Sequence, residues 1–461
     1  DWGLYWEKFK KYQHCVGVAK WNFTTLEEPV YTRANYQILQ DLELEYDDFA
    51  SLANDSVEWV DKIVDGDPIY TYCFLGLYAN KHGELNNYTK AILKNPEMLK
   101  EYGVRNYLIS LVQKYKNEMK AGKLWLKSCF KFLSPDLIML LEWIGGIEVN
   151  GSLDSDEFFT FDINGSYAGE YLIERNPHIC KSEHTILNAV INNQLKKYCG
   201  HLSNVCMING KSITPQRLNG ADMDGDLVLV VDNEVIKSGV DRNISVVMDI
   251  DDKVTALAEE DTLENRLALV LRTMNSLIGE TSNCATGYHN KTPKTVEQKK
   301  KYESYVDLLS VINGKAIDYS KTGVLFNIPR HIAKYSKPLP YFMKYASEYY
   351  GGLSKFSKAK SNMNRLCFEL EKWDKSIRYR RTYKDFDYNI MIDENIKIDQ
   401  NIFNQIESVF LEFCKEMNEL AKDLKLPDEI IGLNVKETKF VIGLLSHGSI
   451  QRAGEEAGIT R

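Results

Sequence analysis

The sequence predicts an α+β protein in which one compact β region lies between two largely helical ones. Three observations predict it. Apolar residues recur at helical spacing through about residues 31–146. Over roughly 150–235 the chain breaks into short runs rich in β-branched and aromatic residues, separated by Asn-Gly or other glycine turns. From about residue 253 helical periodicity returns.

Taken in order, the first helical signals are the spacing of Tyr36, Ile38, Leu39 and Leu42 and that of Tyr107 to Val112. Leu137 to Leu141 follow Ser134-Pro135-Asp136, a capping serine with proline in the first turn, and stop at Gly145-Gly146. Strands are expected at Phe158 to Phe161, Glu170 to Ile173, Val205 to Ile208 and Leu227 to Val231, with turns at 150–151, 164–165 and 209–210. The later helices break near Pro293, Pro329 and Pro338 to Pro340. There is no internal repeat and no low-complexity segment.

A chain of 461 residues has room for about two to four domains. It is 44% hydrophobic and 26% charged, an ordinary globular balance that excludes a disordered chain. No apolar run approaches the ~18 residues of a membrane span, so no membrane partner is expected. The nine cysteines form no CxxC pair, which argues against a zinc ribbon and fits a cytoplasmic protein. A net charge of −8 argues against a uniformly basic nucleic-acid binder. The average hides two basic clusters, Lys291 to Lys301 and Lys355 to Arg381, the second interleaved with Trp373, Tyr379 and Tyr383. Such stretches either follow a phosphate backbone or are the solvated faces of surface helices.

The chemistry concentrates in Asn219-Gly220-Ala221-Asp222-Met223-Asp224-Gly225-Asp226, which runs into Leu-Val-Leu-Val-Val. Three carboxylates stand at alternate positions, and Gly225 permits a turn tight enough for them to converge. Without a cation they would repel and raise one another's pKa. An all-oxygen donor set selects a hard ion, magnesium or calcium. A calcium EF-hand starting at Asp222 would need glycine and glutamate where Leu227 and Asn233 stand, so it is excluded. The other plain alternative is a surface turn of solvated aspartates.

This DxDGD loop before an apolar strand resembles the metal loop of two-barrel RNA polymerases, where it lies in the second double-psi β-barrel. Four further segments match in order, and they are most similar to the RNA-dependent and bacteriophage branch. Tyr31-Thr32-Arg33-Ala34-Asn35-Tyr36-Gln37-Ile38-Leu39 resembles the helix joining the two barrels. Arg175-Asn176-Pro177 resembles a strand-ending R-N-P motif. Ala316 to Gly323 resembles A-V-D-x-x-K-T-G, and Pro340-Tyr341-Phe342-Met343 a segment after it.

The resemblance implies a nucleic-acid-templated RNA polymerase, a magnesium-dependent nucleotidyltransferase. Asp222, Asp224 and Asp226 would hold two Mg2+ ions, with Mn2+ able to substitute. It implies nucleoside triphosphates, a template and an RNA product as partners. Arg175 would contact the incoming nucleotide; the plainer role is a salt bridge to Glu174 or Glu183. Lys321 and Asp318 carry the K-T-G resemblance, as a phosphate contact or as a structural ion pair. Asn219, three residues before the first aspartate rather than the usual two, is a candidate sugar contact. Arg217 and Lys211 precede the loop and are candidates to face substrate. His178, His184 and His201 are expected to be structural.

The expected layout is a remnant over 1–30, a helical connector over 31–149, the second barrel over 150–240 and a mainly helical neck or head region over 241–461. The family's first barrel is expected either upstream in a longer protein or on a separate polypeptide, leaving this chain inactive alone. Ser449 to Arg461 resembles the opening of a helix-turn-helix. Abundant Asn, Lys, Ile and Tyr suggest an AT-rich coding source and lean toward DNA-templated, phage-type transcription in a host cytoplasm. The alternatives are an RNA-templated polymerase of the silencing type, a non-catalytic nucleic-acid-binding subunit, and a carboxylate nuclease.

Overall fold

The computed structural model describes residues 2–11, 30–76, 85–162, 165–247, 260–273, 277–346, 355–377, 387–391, 397 and 399–423. Two compact units divide the chain, Asp1–Phe386 and Asp387–Arg461. The described elements of the second are a 3-10 turn, Tyr388–Met391, and a helix, Gln400–Asp423. The helix-turn-helix resemblance at 449–461 lies outside the described residues, as do Arg378 to Arg381 and Tyr383. Among the described residues no helix is long and apolar enough to cross a membrane.

The first unit is organised by a closed barrel. Its strands are β1 (Tyr31–Arg33), β2 (Trp125–Pro135), β3 (Glu157–Phe159), β4 (Phe161–Asp162), β5 (Gly165–Ser166), β6 (Gly169–Arg175), β7 (Thr185–Ala189), β8 (Val205–Ile208) and β9 (Leu227–Val231). Neighbours run β2-β8-β3-β7-β6-β9, and β9 pairs back onto β2, closing six strands into a ring. β2–β8 and β3–β7 are parallel and the other pairings antiparallel. Closure removes the open sheet edges that would otherwise template aggregation. β1 adds to β2 from outside, and β4–β5 is a separate two-stranded ribbon.

Side chains alternate across each strand, and along β9 both faces are covered. Val228 and Val230 of β9 point inward with Cys129, Leu133, Phe158, Ile173 and Cys206. Leu229 and Val231 point outward, into a second core with Leu52 and Val60 of the Tyr46–Val64 helix, Met119 of Tyr102–Lys120 and Leu366 of Asn362–Ser376. This double burial is why β9 reads as an unbroken apolar run.

Three differences from the sequence expectations have clear causes. The Tyr31 to Leu39 segment is not a helix. Tyr31–Arg33 pairs with β2, and a single 3-10 turn, Tyr36–Ile38, starts where the Asn35 side chain accepts from the Gln37 N–H. Ala34, Ile38, Leu39, Leu42 and Leu44 are apolar because the whole segment threads the outer core. Second, β2 lies within the stretch read as helical connector. Its inward positions include Lys131, fully buried and donating to the Ser203 carbonyl at 2.6 Å, which hides the strand's alternation. Third, the helix Leu137–Ile144 is capped by Asp136, not Ser134; Pro135 ends β2 instead.

The candidate active site

The three aspartates follow a short helix, Thr214–Arg217, and precede β9. The chain reverses through left-handed backbone at Asn219 (φ 56°) and Gly220 (φ 67°). Gly225 (φ 127°) takes a conformation in which a side chain would be strained. Buried Ala221 anchors the first half, its N–H donating to the Pro215 carbonyl at 2.9 Å. The second half hangs from the barrel, because the Leu133 N–H donates to the Asp226 carbonyl at 2.8 Å. The Asp222 N–H closes the loop onto Asp226 Oδ2 at 3.0 Å.

The result is convergence. Asp222, Asp224 and Asp226 each offer one carboxylate oxygen, all within 4.8 Å of one another. Asp222 and Asp224 are exposed and Asp226 is half-buried. Asp224 is raised above the usual carboxylate range by its hydrogen bond to Asp222 and then by that neighbour's charge. The same bond, helped by Lys321 and Arg175, lowers Asp222. Carboxylates gathered this closely form a place where a hard cation fits, and the donor set is all oxygen. These residues therefore fit a hard divalent cation.

Arg175 ends β6, whose register sets it opposite Val228, two residues after Asp226. Its Nε lies 2.9 Å from Asp226 Oδ2 and a terminal nitrogen 3.1 Å from Oδ1. The salt bridge expected with Glu174 or Glu183 is thus made with Asp226. Glu174, one residue earlier on the strand, points the other way.

The opposite wall is helical. Ser310, Val311, Gly314 and Ile317 of the Val296–Ile317 helix line the cleft, with Asp318 and Lys321 just beyond it. Lys321 Nζ stands 3.8 Å from Asp222, 4.0 Å from Asp224 and 3.8 Å from Asp318. Gly314 packs against the Asn219 side chain; a Cβ there would lie 3.4 Å from Asn219 Oδ1, an ordinary contact. The buried Asn219 Nδ2 finds no hydrogen-bond partner among the described residues. The cleft measures about 430 Å3, and Arg175, Asn219, the three aspartates, Asp318 and Lys321 all line it.

Arg217 and Lys211 are not brought to this cleft. Arg217 donates to the Ser182 carbonyl at 3.3 Å and lines a separate cleft with Glu170 and Arg242. Lys211 donates to the Val149 carbonyl. Ser310, Val311 and Gly314 line the cleft without having been legible in the sequence, because only the packing of the Val296–Ile317 helix brings them there. The sequence reading also missed how His178 and His184 are used: both are buried beside Asp41 and Glu174, on the far side of β6 from Arg175.

The comparisons with known proteins agree in kind. A family model described as RNA dependent RNA polymerase matches residues 8–370. A curated protein of Arabidopsis thaliana, "Probable RNA-dependent RNA polymerase 5", is 26% identical over 169 residues, 34% of this chain and 16% of that one. A solved structure, the RNA dependent RNA polymerase QDE-1 from Thielavia terrestris, superposes with a TM-score of 0.51 at 15% identity, over 94% of this chain and 50% of that one. That likeness is one of fold, and the chain spans about half the length of the solved relative.

Proposed function

The chain belongs to the RNA-dependent RNA polymerase family, and we propose that it carries the catalytic centre of an enzyme that extends an RNA 3′ end opposite an RNA template. One observation carries this reading: a loop from a closed barrel gathers three carboxylates in a cleft walled by Arg175 and Lys321. The family match and both named relatives favour an RNA template over the DNA-templated, phage-type reading suggested by composition.

Asp222, Asp224 and Asp226 would hold two Mg2+ ions, which when bound lower the pKa of the attacking 3′-hydroxyl and offset charge on the leaving pyrophosphate. Arg175 is a positioning residue in this account, fixing Asp226 through both carboxylate oxygens. Asn219 lines the cleft, and its buried amide nitrogen, unpartnered among the described residues, would turn toward a nucleotide sugar. Lys321, beside Asp222 and Asp224, is placed to meet the triphosphate as it arrives, with Asp318 steadying its ammonium. The family's first barrel, from upstream sequence or a second polypeptide, would complete the nucleic-acid channel.

The test is incorporation of labelled nucleotides by the whole protein in magnesium, with and without template. Template-dependent incorporation that disappears in Asp224→Ala supports the assignment. Incorporation that persists in Asp224→Ala rejects it, and nucleic-acid cleavage without added nucleotides would point to a nuclease.

A further inference from the structure

Behind the cleft, four ionisable side chains are sealed from solvent. Asp41, Glu174, His178 and His184 are between 0 and 5% exposed. They come from three places: the segment after the Tyr36–Ile38 turn, the end of β6, and the loop joining β6 to β7. The two imidazoles lie with ring centres 4.2 Å apart. Both Nε2 atoms face Asp41, His178 on Oδ2 at 3.0 Å and His184 on Oδ1 at 2.9 Å. Both Nδ1 atoms face Glu174, that of His178 on Oε2 at 2.9 Å and that of His184 on Oε1.

Glu174 binds each ring through Nδ1, the way an outer carboxylate fixes the tautomer of a metal-ligating histidine and turns its other nitrogen toward the ion. Asp41, His178 and His184 each offer a ligand atom within 4.8 Å of the others. Two donors each ~2.1 Å from one ion, at angles of 90–109°, lie about 3.0–3.4 Å apart. The Nε2-to-carboxylate separations at Asp41, 3.0 and 2.9 Å, lie at and just below the short end of that range.

Charge supports the same reading. Two neutral imidazoles with the Asp41 and Glu174 carboxylates carry a net charge of −2 in a buried place that Glu183 also borders, 3.9 Å from His178, a costly state. One divalent cation neutralises it. Two protons, making both rings imidazolium, would also do so, but would set two cations with ring centres 4.2 Å apart, the rings tilted by 40°.

We propose that Asp41, His178 and His184 bind one divalent transition-metal ion of the zinc type, with Glu174 as the carboxylate that orients both histidines. Two nitrogens and a two-oxygen carboxylate give four donors, the number closed structural zinc sites use. Imidazole donors favour zinc-type ions, whereas the all-oxygen aspartate loop favours magnesium, so the two sites sort their metals by donor chemistry. The ion pins Asp41 to residues 137 and 143 positions later in the chain. It also holds the residue next to Arg175, and so anchors the strand end that faces Asp226. This inference does not depend on the polymerase reading.

The experiment is metal analysis of the full chain, purified without a polyhistidine tag and passed over chelating resin. About one equivalent of zinc-type metal per chain is expected, retained in Asp224→Ala and lost in His178→Ala and His184→Ala. Stripping the ion with a strong chelator should lower Tm by at least about 5 °C, and Zn2+ alone should restore it. If the histidine variants do not fold, Co2+ loaded into the wild-type chain gives a second readout, the intense visible absorption of a four-coordinate cobalt site. Less than about a tenth of an equivalent of any transition metal, with no Tm response to chelator or Zn2+, would overturn the proposal and leave a ring held by protons. Metal lost in Asp224→Ala would also overturn it, by assigning the ion to the cleft.

Discussion

Arg175 grips Asp226 with two hydrogen bonds, Nε to Oδ2 at 2.9 Å and a terminal nitrogen to Oδ1 at 3.1 Å. A planar guanidinium makes both at once and a lysine cannot. Arg175→Lys should therefore lower kcat about 10- to 100-fold through a misplaced Asp226, with KM for nucleotide nearly unchanged. A rise in KM with kcat preserved would instead mean that Arg175 chiefly binds the nucleotide.

Each of Asp222→Asn, Asp224→Asn and Asp226→Asn should reduce nucleotide addition by about 10³-fold or more. The metal-free proteins should melt no lower than wild type for the first two, because Asp222 and Asp224 are exposed and repel one another. Saturating magnesium should raise the wild-type Tm and leave the variants' Tm unmoved. Thermal melting with and without magnesium reads both effects.

Lys321 stands near two of the carboxylates, so its charge opposes a cation while favouring a triphosphate. Lys321→Ala should tighten Mn2+ binding about 2- to 5-fold, as befits an exposed and screened pair. The same change should raise KM for nucleotide. Mn2+ titration by electron paramagnetic resonance, beside steady-state kinetics, separates the two.

Away from the cleft, Asp374 receives Lys116 at 2.6 Å and Lys120 at 2.5 Å, joining the Asn362–Ser376 and Tyr102–Lys120 helices. Both lysines are buried, so Asp374→Asn should cost about 3–5 kcal/mol in urea unfolding. Burial pushes the Asp374 carboxyl up, but the two lysines outweigh it and hold it below the ordinary range. A carboxyl lowered in the folded state contributes its full stability above its unfolded pKa of about 3.9 and loses it as pH falls further. The gap between wild type and Asp374→Asn should accordingly be constant near neutrality and narrow below about pH 4.

Much of the barrel was legible because its strands are short apolar runs punctuated by turns. Val205–Ile208 and Leu227–Val231 stand where the pattern sets them. β7 was missed because Thr185-Ile186-Leu187-Asn188-Ala189 lacks strong strand formers at two of its five places, although its burial alternates. β2 was missed because Lys127 and Lys131 interrupt it, and the carbonyl that satisfies Lys131 lies 72 residues away. The aspartate loop was legible because three acids and a glycine within five residues have few other uses. The Arg175–Asp226 pair was not, since only the β6–β9 pairing brings these residues, 51 apart in sequence, together. The buried histidines were unreadable for the same reason: Asp41 meets them across 137 residues, a distance no local spacing reports.

RNA synthesis on an RNA template at the three aspartates is read out by primer extension. The whole protein, with its first-barrel region present, is given a primer on RNA and DNA templates of identical sequence, beside Asp224→Ala. Magnesium-dependent extension on RNA, of complementary sequence and absent in the variant, is the predicted result. Extension confined to the DNA template, or extension undiminished by Asp224→Ala, would contradict it.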